Sequence, residues 1–555
     1  MANAAELTGP PRTAADQTAL NLDPRAKLEI LGAILLALFL FALDQTVVGV
    51  ALPRILTDLH GNELYTWSVT IYLLTSTISG PIYGKLSDLF GRRPVILFAV
   101  SLFLVASALC GLSQEMWQFL LFRGLQGLGG GAVFPVALAV VADLYTPAER
   151  GKYLGLFGAV FGLSSLVGPA IGGIITDALS WHFIFYINIP IGLVALFILW
   201  RLLPSIKHPD AARHIDYLGA ALFTATIAPF LIGLTNKQSG DWTDPAVGGL
   251  ILVSLVFGLI FIFVEARAAE PIVPLGLFRN RSFTISVIAM FFAAFGFFGA
   301  ILFLPRWFQT VGGASATESG YNILPLLAGL IFSAIASGQI VARTGRYKIL
   351  IFSSLVILAL GLWTMTHLEA DTPRPVLWLW MLITGIGIGP SFAVFTLVVQ
   401  NSVPPREVGV GTASLTFFQQ IGGTVGLTLA GTVFAERLVT EIPTQMLAHD
   451  IPQQIVDAFQ ATGGQAINNL TGVGNLHDVI LQNTPEQFRP LVEPYVDAIV
   501  ASIYQAVSVS IASTFWVGIA AAILAAFAVI FLKEEPMRET FEMPEPVPAD
   551  TGATA

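Results

Sequence analysis

The chain has 555 residues, of which 55% are hydrophobic and 11% are charged, and its formal net charge is −9. This composition, together with a mean hydropathy of +0.76, excludes a soluble globular protein and indicates a polytopic membrane protein. The single cysteine, Cys110, excludes an internal disulfide and a cysteine-based metal site.

The chain begins with a polar stretch, residues 1–28, that lacks the basic flank and short apolar core of a cleaved signal peptide. We expect this stretch to be a disordered cytoplasmic tail. After it, fourteen apolar runs are long enough to cross a hydrocarbon core of about 30 Å as helices. These predicted spans cover residues 29–51, 67–86, 94–113, 117–142, 153–176, 183–203, 217–234, 246–264, 282–304, 320–342, 349–367, 376–400, 409–434 and 506–532.

The predicted loops differ in charge on the two sides of the membrane. An even number of spans puts both ends of the chain on one side, and most of the 27 Lys and Arg residues fall in loops on that side. Both termini are therefore predicted to be cytoplasmic. The excess of acids lies in residues 435–505 and 533–555. We expect 533–555 to be a disordered acidic cytoplasmic tail and 435–505 to form an extracytoplasmic helical cap, with an inert linker as the alternative.

Two charged residues lie well inside predicted spans, away from the ends. Asp44 follows Leu43 in the stretch LDQTVVGVALP of the first span, and Arg123 is the only Lys or Arg so far from the end of a span. A charge at such a depth costs roughly 2.5–3.5 kcal/mol on insertion, so it needs a partner, a water-filled cavity or a function. At about 1.5 Å per residue, both residues lie about 10–13 Å below the outer surface, so their depths match.

Two loops of the chain are related in sequence. GKLSDLFGRRP, Gly84–Pro94, lies between the second and third spans, and GQIVARTGRYK, Gly338–Lys348, lies between the tenth and eleventh. In register, Gly84 matches Gly338, Gly91 matches Gly345 and Arg92 matches Arg346, whereas Ala342 stands opposite Asp88.

The spacing of these loops predicts a duplicated architecture. They are eight spans apart, which fits two six-helix bundles, residues 29–203 and 282–532, separated by an inserted pair of helices, residues 217–264. Internal duplication of this kind is typical of secondary transporters that rock two halves about a central site.

These motifs resemble a known family. GKLSDLFGRRP is similar to the loop signature of the major facilitator superfamily, and LDQTVVGVALP, RGLQGLGGG and GPAIGG in spans 1, 4 and 5 make the chain similar to its fourteen-helix drug:proton antiporters. The resemblance covers nearly the whole chain and implies an all-α major facilitator fold. The chain departs from the family pattern at Gly49, Ser164 and His182, where relatives usually have Asn, Gly and Arg.

The resemblance implies a gate at the cytoplasmic end of the molecule. A carboxylate there would accept hydrogen bonds from an arginine and from free amides at a helix start, and it would dock against the thirteenth span when that side is closed. The alternative is that the basic residues only set the topology. The residues implied in the gate are Gly84, Asp88, Gly91, Arg92, Arg93, Asp143 and Arg406.

The fifth span carries the motif that marks exporters within this family. Small residues permit close approach of helix backbones, and proline bends a helix axis. We therefore expect a close, bendable seam between the two halves, with ordinary small-residue packing as the alternative. The motif residues are Gly168, Pro169, Gly172 and Gly173, preceded by Gly158 and Gly162.

In this family the first and fourth helices line the cavity of the N-terminal half, which implies an interaction between Asp44 and Arg123, direct or through water. An antiporter needs a group that takes up and releases a proton, and these two residues are the candidates for proton coupling. The alternative is a static ion pair that only joins two helices. Uncharged polar residues among many phenylalanines are predicted to line the substrate cavity. They are Gln126, Asn322, Gln339, Gln400, Gln419 and Gln420.

The sequence therefore predicts a proton-coupled exporter of lipophilic, cationic or neutral toxic compounds in a bacterial cytoplasmic membrane. An ion gradient must drive it because the chain has no G-x-x-x-x-G-K-[ST] loop to hold ATP. An exporter of lipids or cell-envelope components is the alternative; an enzyme and a channel are disfavoured. We expect a monomer whose partners are small substrates, protons and membrane lipids, with no nucleic acid, metal or cofactor.

Overall fold

The computed structural model describes residues 22–60, 65–145, 147–204, 216–237, 240–268, 270–404, 407–461, 476–484 and 489–536. Regular structure in these ranges is helical, with no strand. The predicted all-α membrane fold is thus confirmed. The predicted terminal tails lie largely outside the described residues, as do Arg406 and residues 205–215.

The first bundle contains seven helices: α1 (Pro24–Asp58), α2 (Tyr65–Phe90), α3 (Arg92–Leu112), α4 (Met116–Leu144), α5 (Pro147–Ala178), α6 (Phe183–Tyr186) and α7 (Asn188–Leu202). The inserted pair consists of α8 (Tyr217–Asn236) and α9 (Leu250–Glu265). The second bundle contains α10 (Arg281–Thr310), α11 (Ala316–Asn322), α12 (Leu324–Thr344), α13 (Lys348–Met365), α14 (Arg374–Ser402), α15 (Val408–Ala448) and α19 (Val496–Ile530). Between α15 and α19 lie α16 (Gln453–Ala461), α17 (Leu476–Asn483) and α18 (Arg489–Val492).

The helices coincide with the predicted spans. Within the described ranges, eleven helices are long and apolar enough to cross a membrane. The remaining three predicted spans fall on α2, α5 and α15, which are 26, 32 and 41 residues long. Each apolar run of the sequence is therefore helical, because burying its backbone in hydrocarbon requires hydrogen bonds within the segment.

Two helices extend beyond their predicted ends. We expected the thirteenth span to end at residue 434 and the fourteenth to begin at 506, but α15 continues to Ala448 and α19 begins at Val496. The extensions persist because each has an apolar stripe at helical spacing that is buried in the common core. These buried residues are Leu438, Ile442 and Met446 on α15 and Val496, Ile499 and Ile503 on α19.

The first helix, α1, begins and the last helix, α19, ends at the same end of the molecule. Tyr145, after α4, donates to the carbonyl of Lys27 in the first turn of α1 (3.3 Å). Arg281, at the start of α10, donates from Nε to the carbonyl of Phe531 after α19 (2.7 Å). We call this the inner end; it contains the last turn of α2 and the first turn of α15, and its basic loops predict that it faces the cytoplasm.

The two bundles meet along two helix pairs, α2 with α15 and α5 with α12. At the inner end, Gly84 of α2 faces Gly409 and Ala413 of α15 so closely that a Cβ on Gly84 would collide with the Ala413 side chain. Near mid-helix, Thr77 of α2 donates to the side-chain oxygen of Gln420 on α15 (2.9 Å). These contacts hold the inner end closed.

Candidate functional site

Asp44 lies in the centre of a buried polar network in the first bundle. It is 2% exposed, and Arg123 of α4 donates from Nη1 to its Oδ2 at 2.5 Å. Its Oδ1 accepts from Nε2 of Gln126 at 2.8 Å and from Nδ2 of Asn188 at 3.2 Å. Three helices, α1, α4 and α7, thus meet at one carboxylate, and the hydrogen bonds from α4 and α7 explain how a charge is held at this depth.

Arg123 has further partners in the network. Nη1 also donates to Oε1 of Gln126 at 2.7 Å, and the guanidinium lies 4.2 Å from the ring centroid of Tyr72 on α2. An aromatic face attracts a desolvated cation, so Tyr72 offsets part of the burial cost of Arg123. The predicted contact between Asp44 and Arg123 is therefore direct, without an intervening water.

The network retains unused hydrogen-bonding capacity. Among the described residues, Nε of Arg123, Oδ1 of Asn188 and the hydroxyl of Tyr72 are buried side-chain atoms without a hydrogen-bond partner. Buried polar atoms are rarely left in this state. Asn188 is otherwise held by Ser107, which accepts from its Nδ2 at 3.0 Å. The network thus still has a free donor on Arg123 and a free acceptor on Asn188.

Asn188, Tyr72 and Ser107 were not among the residues selected from the sequence. Asn188 interrupts the apolar stretch FIFYINIPIG of the sixth span, which is a signal that could have been used. Tyr72 and Ser107 give no such signal, since single hydroxyl groups are common in membrane helices.

The glycine motif of α5 holds the segment of α1 that carries Asp44. A Cβ on Gly168 would collide with the side chain of Thr46, and one on Gly172 would stand 3.0 Å from the carbonyl of Val47. Thr46 in turn donates to the carbonyl of Ser164 at 3.1 Å.

The predicted seam between the halves is therefore only partly correct. Gly158 and Gly162 face Leu330 and Leu327 of α12 in the second bundle. Gly168 and Gly172 instead pack α5 against α1 inside the first bundle, because they lie about three turns further along the helix, where α12 is no longer the neighbour. Gly173 has no atom within 4 Å of where its Cβ would stand. The side chain of Pro169, which completes the motif, is not described.

Asp88 joins the two bundles at the inner end. Its Oδ1 accepts from the amide of Gly409 (3.0 Å) and its Oδ2 from the amide of Val410 (2.7 Å), both in the first turn of α15. The first amides of a helix have no partner within the helix, and the helix dipole favours a negative charge there. Asp88 therefore caps the N-terminus of α15, a helix of the other bundle.

Arg92 holds this carboxylate within the first bundle. It donates from Nη1 to Asp88 and to Ser87 Oγ (2.7 Å), and from Nε to Asp143 Oδ2 (3.0 Å). Arg93 instead donates to the carbonyl of Trp200 at the end of α7. We call Asp88, Arg92, Asp143 and the first turn of α15 the inner latch.

Gly91 allows the chain to turn between α2 and α3 because its φ of 94° is in the region that favours glycine. This turn places Arg92 at the start of α3, two residues after α2 ends. Of the residues predicted in the gate, Arg406 lies outside the described residues.

Arg150, in the first turn of α5, is a further buried base at the inner end. It donates from Nη2 to the carbonyl of Ala142 (2.6 Å) and from Nε to that of Tyr145 (2.9 Å), which are free carbonyls at the end of α4. Its Nη1 lies 3.5 Å from Oε1 of Gln400 on α14. Arg150 therefore links the end of α4 to the second bundle beside the inner latch.

The residues predicted to line a substrate cavity are not brought together. Gln126 is buried in the Asp44 network, and Gln400 lies at the inner end beside Arg150. Gln339 is exposed on α12, while Asn322 accepts from the indole of Trp378 at 3.0 Å. Only Gln419, which is buried, and Gln420 lie near mid-helix on α15, where the two bundles face each other.

Comparison with known proteins identifies related chains. A family model described as Major Facilitator Superfamily matches residues 34–427. The chain is 36% identical over 509 residues to the multidrug transporter protein MdtP of Bacillus subtilis (strain 168), covering 91% of this chain and 92% of the relative. It is 34% identical over 520 residues to multidrug resistance protein 3 of the same strain, covering 93% and 97%.

A solved structure shares the fold. The proton:xylose symporter XylE, of the same superfamily, is similar with a TM-score of 0.56, covering 94% of this chain and 99% of that chain. The sequence identity is 14%, so this likeness concerns the fold alone.

Proposed function

The chain belongs to the major facilitator superfamily of membrane transporters, and from this premise we propose that it is a proton-coupled exporter of lipophilic toxic compounds. The names of its two Bacillus relatives, a multidrug transporter and a multidrug resistance protein, support export of chemically diverse drugs. The proposed location is a bacterial cytoplasmic membrane, with both termini in the cytoplasm and a single chain as the working unit.

The observation that carries the proposal is the ion pair of Asp44 and Arg123. Burying two charges is costly, so such a pair is retained where it has a function more often than for stability alone. A proton on Asp44 would cancel its charge and weaken its hold on Arg123. Arg123 could then turn towards other acceptors, and the loss of the proton would return it to Asp44.

The inner latch supplies the second part of the mechanism. With Asp88 bound to the first turn of α15, the inner end is closed. Loading from the cytoplasm requires these hydrogen bonds to break so that the bundles can rock apart. The Asp44 network lies within the first bundle, and α5 fixes α1 at Thr46 beside it, so a shift of α1 is passed to a helix that also contacts the second bundle.

The test removes the charge of Asp44 without leaving Arg123 buried alone. We expect the double variant Asp44→Asn with Arg123→Gln to fold, because amides replace both charged groups and retain hydrogen-bonding capacity. In proteoliposomes it should bind a lipophilic fluorescent cation but no longer concentrate it when a pH gradient is imposed. A proton gradient that still drives accumulation in this variant would refute proton coupling through Asp44.

A matched control exists on the same helix. Arg54 and Asp58 form an exposed ion pair at the far end of α1, with Nε and Oδ1 3.4 Å apart. Arg54→Gln with Asp58→Asn makes the same two exchanges outside the network, and it should retain accumulation. The same vesicles loaded with a labelled phospholipid distinguish drug export from lipid export.

A further inference from the structure

The inserted pair contains two acids that face each other at the inner end. Asp216 precedes α8 and caps it, since its Oδ1 accepts from the amide of Gly219 at 2.7 Å. Glu265 is the last residue of α9, and its Oε1 accepts from the amide of Val273 at 2.6 Å. Each carboxyl group therefore uses one oxygen to bind a backbone amide.

Among the residues that the structure describes, the second oxygen of each acid has no hydrogen-bond partner. Oδ2 of Asp216 and Oε2 of Glu265 are both buried atoms without a hydrogen bond, and Glu265 as a whole is 2% exposed. Both oxygens face the same small space beside Gly219: a Cβ there would stand 2.7 Å from Oε2 of Glu265 and closer still to Oδ2 of Asp216. Two ionised carboxylates do not remain in such an arrangement, because their charges repel in a site that excludes water.

The surroundings provide no counter-charge in the described part of the chain. Lys85 of α2 is paired with Glu270 of the loop after α9, with Nζ and Oε2 2.7 Å apart. Arg267 donates to the carbonyl of Phe263 and lies over its ring. The neighbouring faces of α2, α8 and α15 are apolar, with Phe223, Phe417 and Ile421 in one cluster.

A metal ion does not fit this site well. Among the described residues there is no group of three or more His, Cys, Asp and Glu side chains that could hold one. Divalent cations prefer six or more oxygen ligands. A single proton satisfies both unpartnered oxygens, because one acid becomes a donor while the other remains an acceptor.

We propose that Asp216 and Glu265 share one proton and form a second protonation site, separate from Asp44, at the inner end of the inserted pair. The proton comes from water at the inner end and joins the two oxygens in a carboxylic acid to carboxylate hydrogen bond. The pair then carries one negative charge.

This proton bears on the inner latch through the loop between α9 and α10. Glu265 fixes the loop at Val273, and Glu270 in the same loop binds Lys85, three residues before Asp88. Loss of the proton makes the two acids repel, which loosens the start of α8, the end of α9 and the loop. The inserted pair thus makes the surroundings of the latch sensitive to the pH at the inner end.

The test compares the pH dependence of stability in purified full-length protein. Glu265→Gln keeps the acceptor for Val273 and offers an amide to Asp216, so it imitates the protonated pair permanently. The apparent melting temperature of the wild type should fall as pH rises and the shared proton is lost, whereas Glu265→Gln should not show this fall. Asp216→Asn should behave like Glu265→Gln. Equal pH profiles for the wild type and Glu265→Gln would overturn the proposal.

Two further measurements keep the test decisive. Glu270→Gln removes an acid from the same loop but not from the pair, so its melting temperature should keep the wild-type pH dependence. In wild-type protein, infrared difference spectra between acid and alkaline pH should contain a protonated carboxyl band that Glu265→Gln lacks. If Na⁺ or Mg²⁺ restores the stability of the wild type at alkaline pH, a cation and not a proton occupies the site, and the proposal is wrong.

Discussion

The two repeated loops, Gly84–Pro94 and Gly338–Lys348, are alike in sequence but are anchored differently. In the first loop, Asp88 reaches across to the amides of α15 in the other bundle. In the second, Ala342 occupies the position of Asp88 and has no carboxylate to offer. The repeated glycines and arginines therefore preserve the turn, and a single acid decides whether the loop joins the bundles.

The second loop is fastened within its own bundle. Glu534, after α19, accepts from the amides of Tyr347 (2.7 Å) and Lys348 (3.0 Å) at the start of α13. The hydroxyl of Tyr347 donates to the carbonyl of Lys533 at 3.0 Å. The same chemistry, a carboxylate on free helix amides, thus joins two bundles in one place and one bundle to its own C-terminal segment in the other. Only the first arrangement must break when the bundles separate.

The largest difference between the loops should come from their matched arginines. Arg92→Ala leaves buried Asp88 and half-buried Asp143 without their counter-charge, so it should lower stability by about 3–5 kcal/mol. Arg346→Ala removes an exposed side chain and should change stability by less than about 0.5 kcal/mol. Thermal melting of the two purified variants checks this. Equal losses would show that Arg92 is no more than a surface charge.

Replacing the carboxylate of Asp88 should have a smaller effect on stability than replacing Arg92. Asp88→Asn keeps one acceptor but loses charge-assisted hydrogen bonds worth about 1.5–3 kcal/mol. At tenfold per 1.4 kcal/mol, the closed inner end should become about ten to a hundred times less favoured. Spin labels on the inner ends of α2 and α15 measure the separation of the bundles. Ligand binding should persist while transport falls, and wild-type distances together with wild-type turnover would contradict the latch.

The smallest effect should follow Glu534→Ala, which removes the corresponding cap in the second loop. Loss of a helix cap costs about 1 kcal/mol, so the melting temperature should fall slightly. The distance between α2 and α15 should not change, because the two hydrogen bonds of Glu534 within the described residues are to the second bundle. Opening of the inner end in this variant would mean that the two loops act alike.

The sequence was sufficient for the fold because hydropathy determines where a helix must form in a membrane. The contact of Asp44 with Arg123 was implied by their matching depths together with the resemblance to a family whose first and fourth helices line one cavity. The sequence did not show that α15 and α19 continue as unbroken helices into residues 435–505, because hydropathy falls beyond the predicted spans although the apolar stripes continue at helical spacing, as at Leu438 and Val496.

Other features depend on which helices become neighbours, and a single sequence does not contain that information. The sequence does not show which way a glutamine side chain in an apolar span points. Exposed Gln339 and buried Gln400 were therefore assigned the same role. Gly168 was assigned to the seam between the halves because small residues permit any close contact, whereas the actual contact is with Thr46. By charge alone, Arg150 resembles the basic loop residues that set the topology. Its hydrogen bonds to the end of α4 distinguish it from them.

Helix α15 also connects the inner latch with the opposite end of the molecule. Its 41 residues span about 60 Å, roughly twice the thickness of the hydrocarbon core. Its first turn rests on Asp88, and near its far end the carbonyl of Gln445 accepts from the hydroxyl of Ser502 on α19. A tilt of only about 10° would displace the far end by about 10 Å. A probe attached near Ala448 would therefore report, from the opposite side of the membrane, whether Asp88 is engaged.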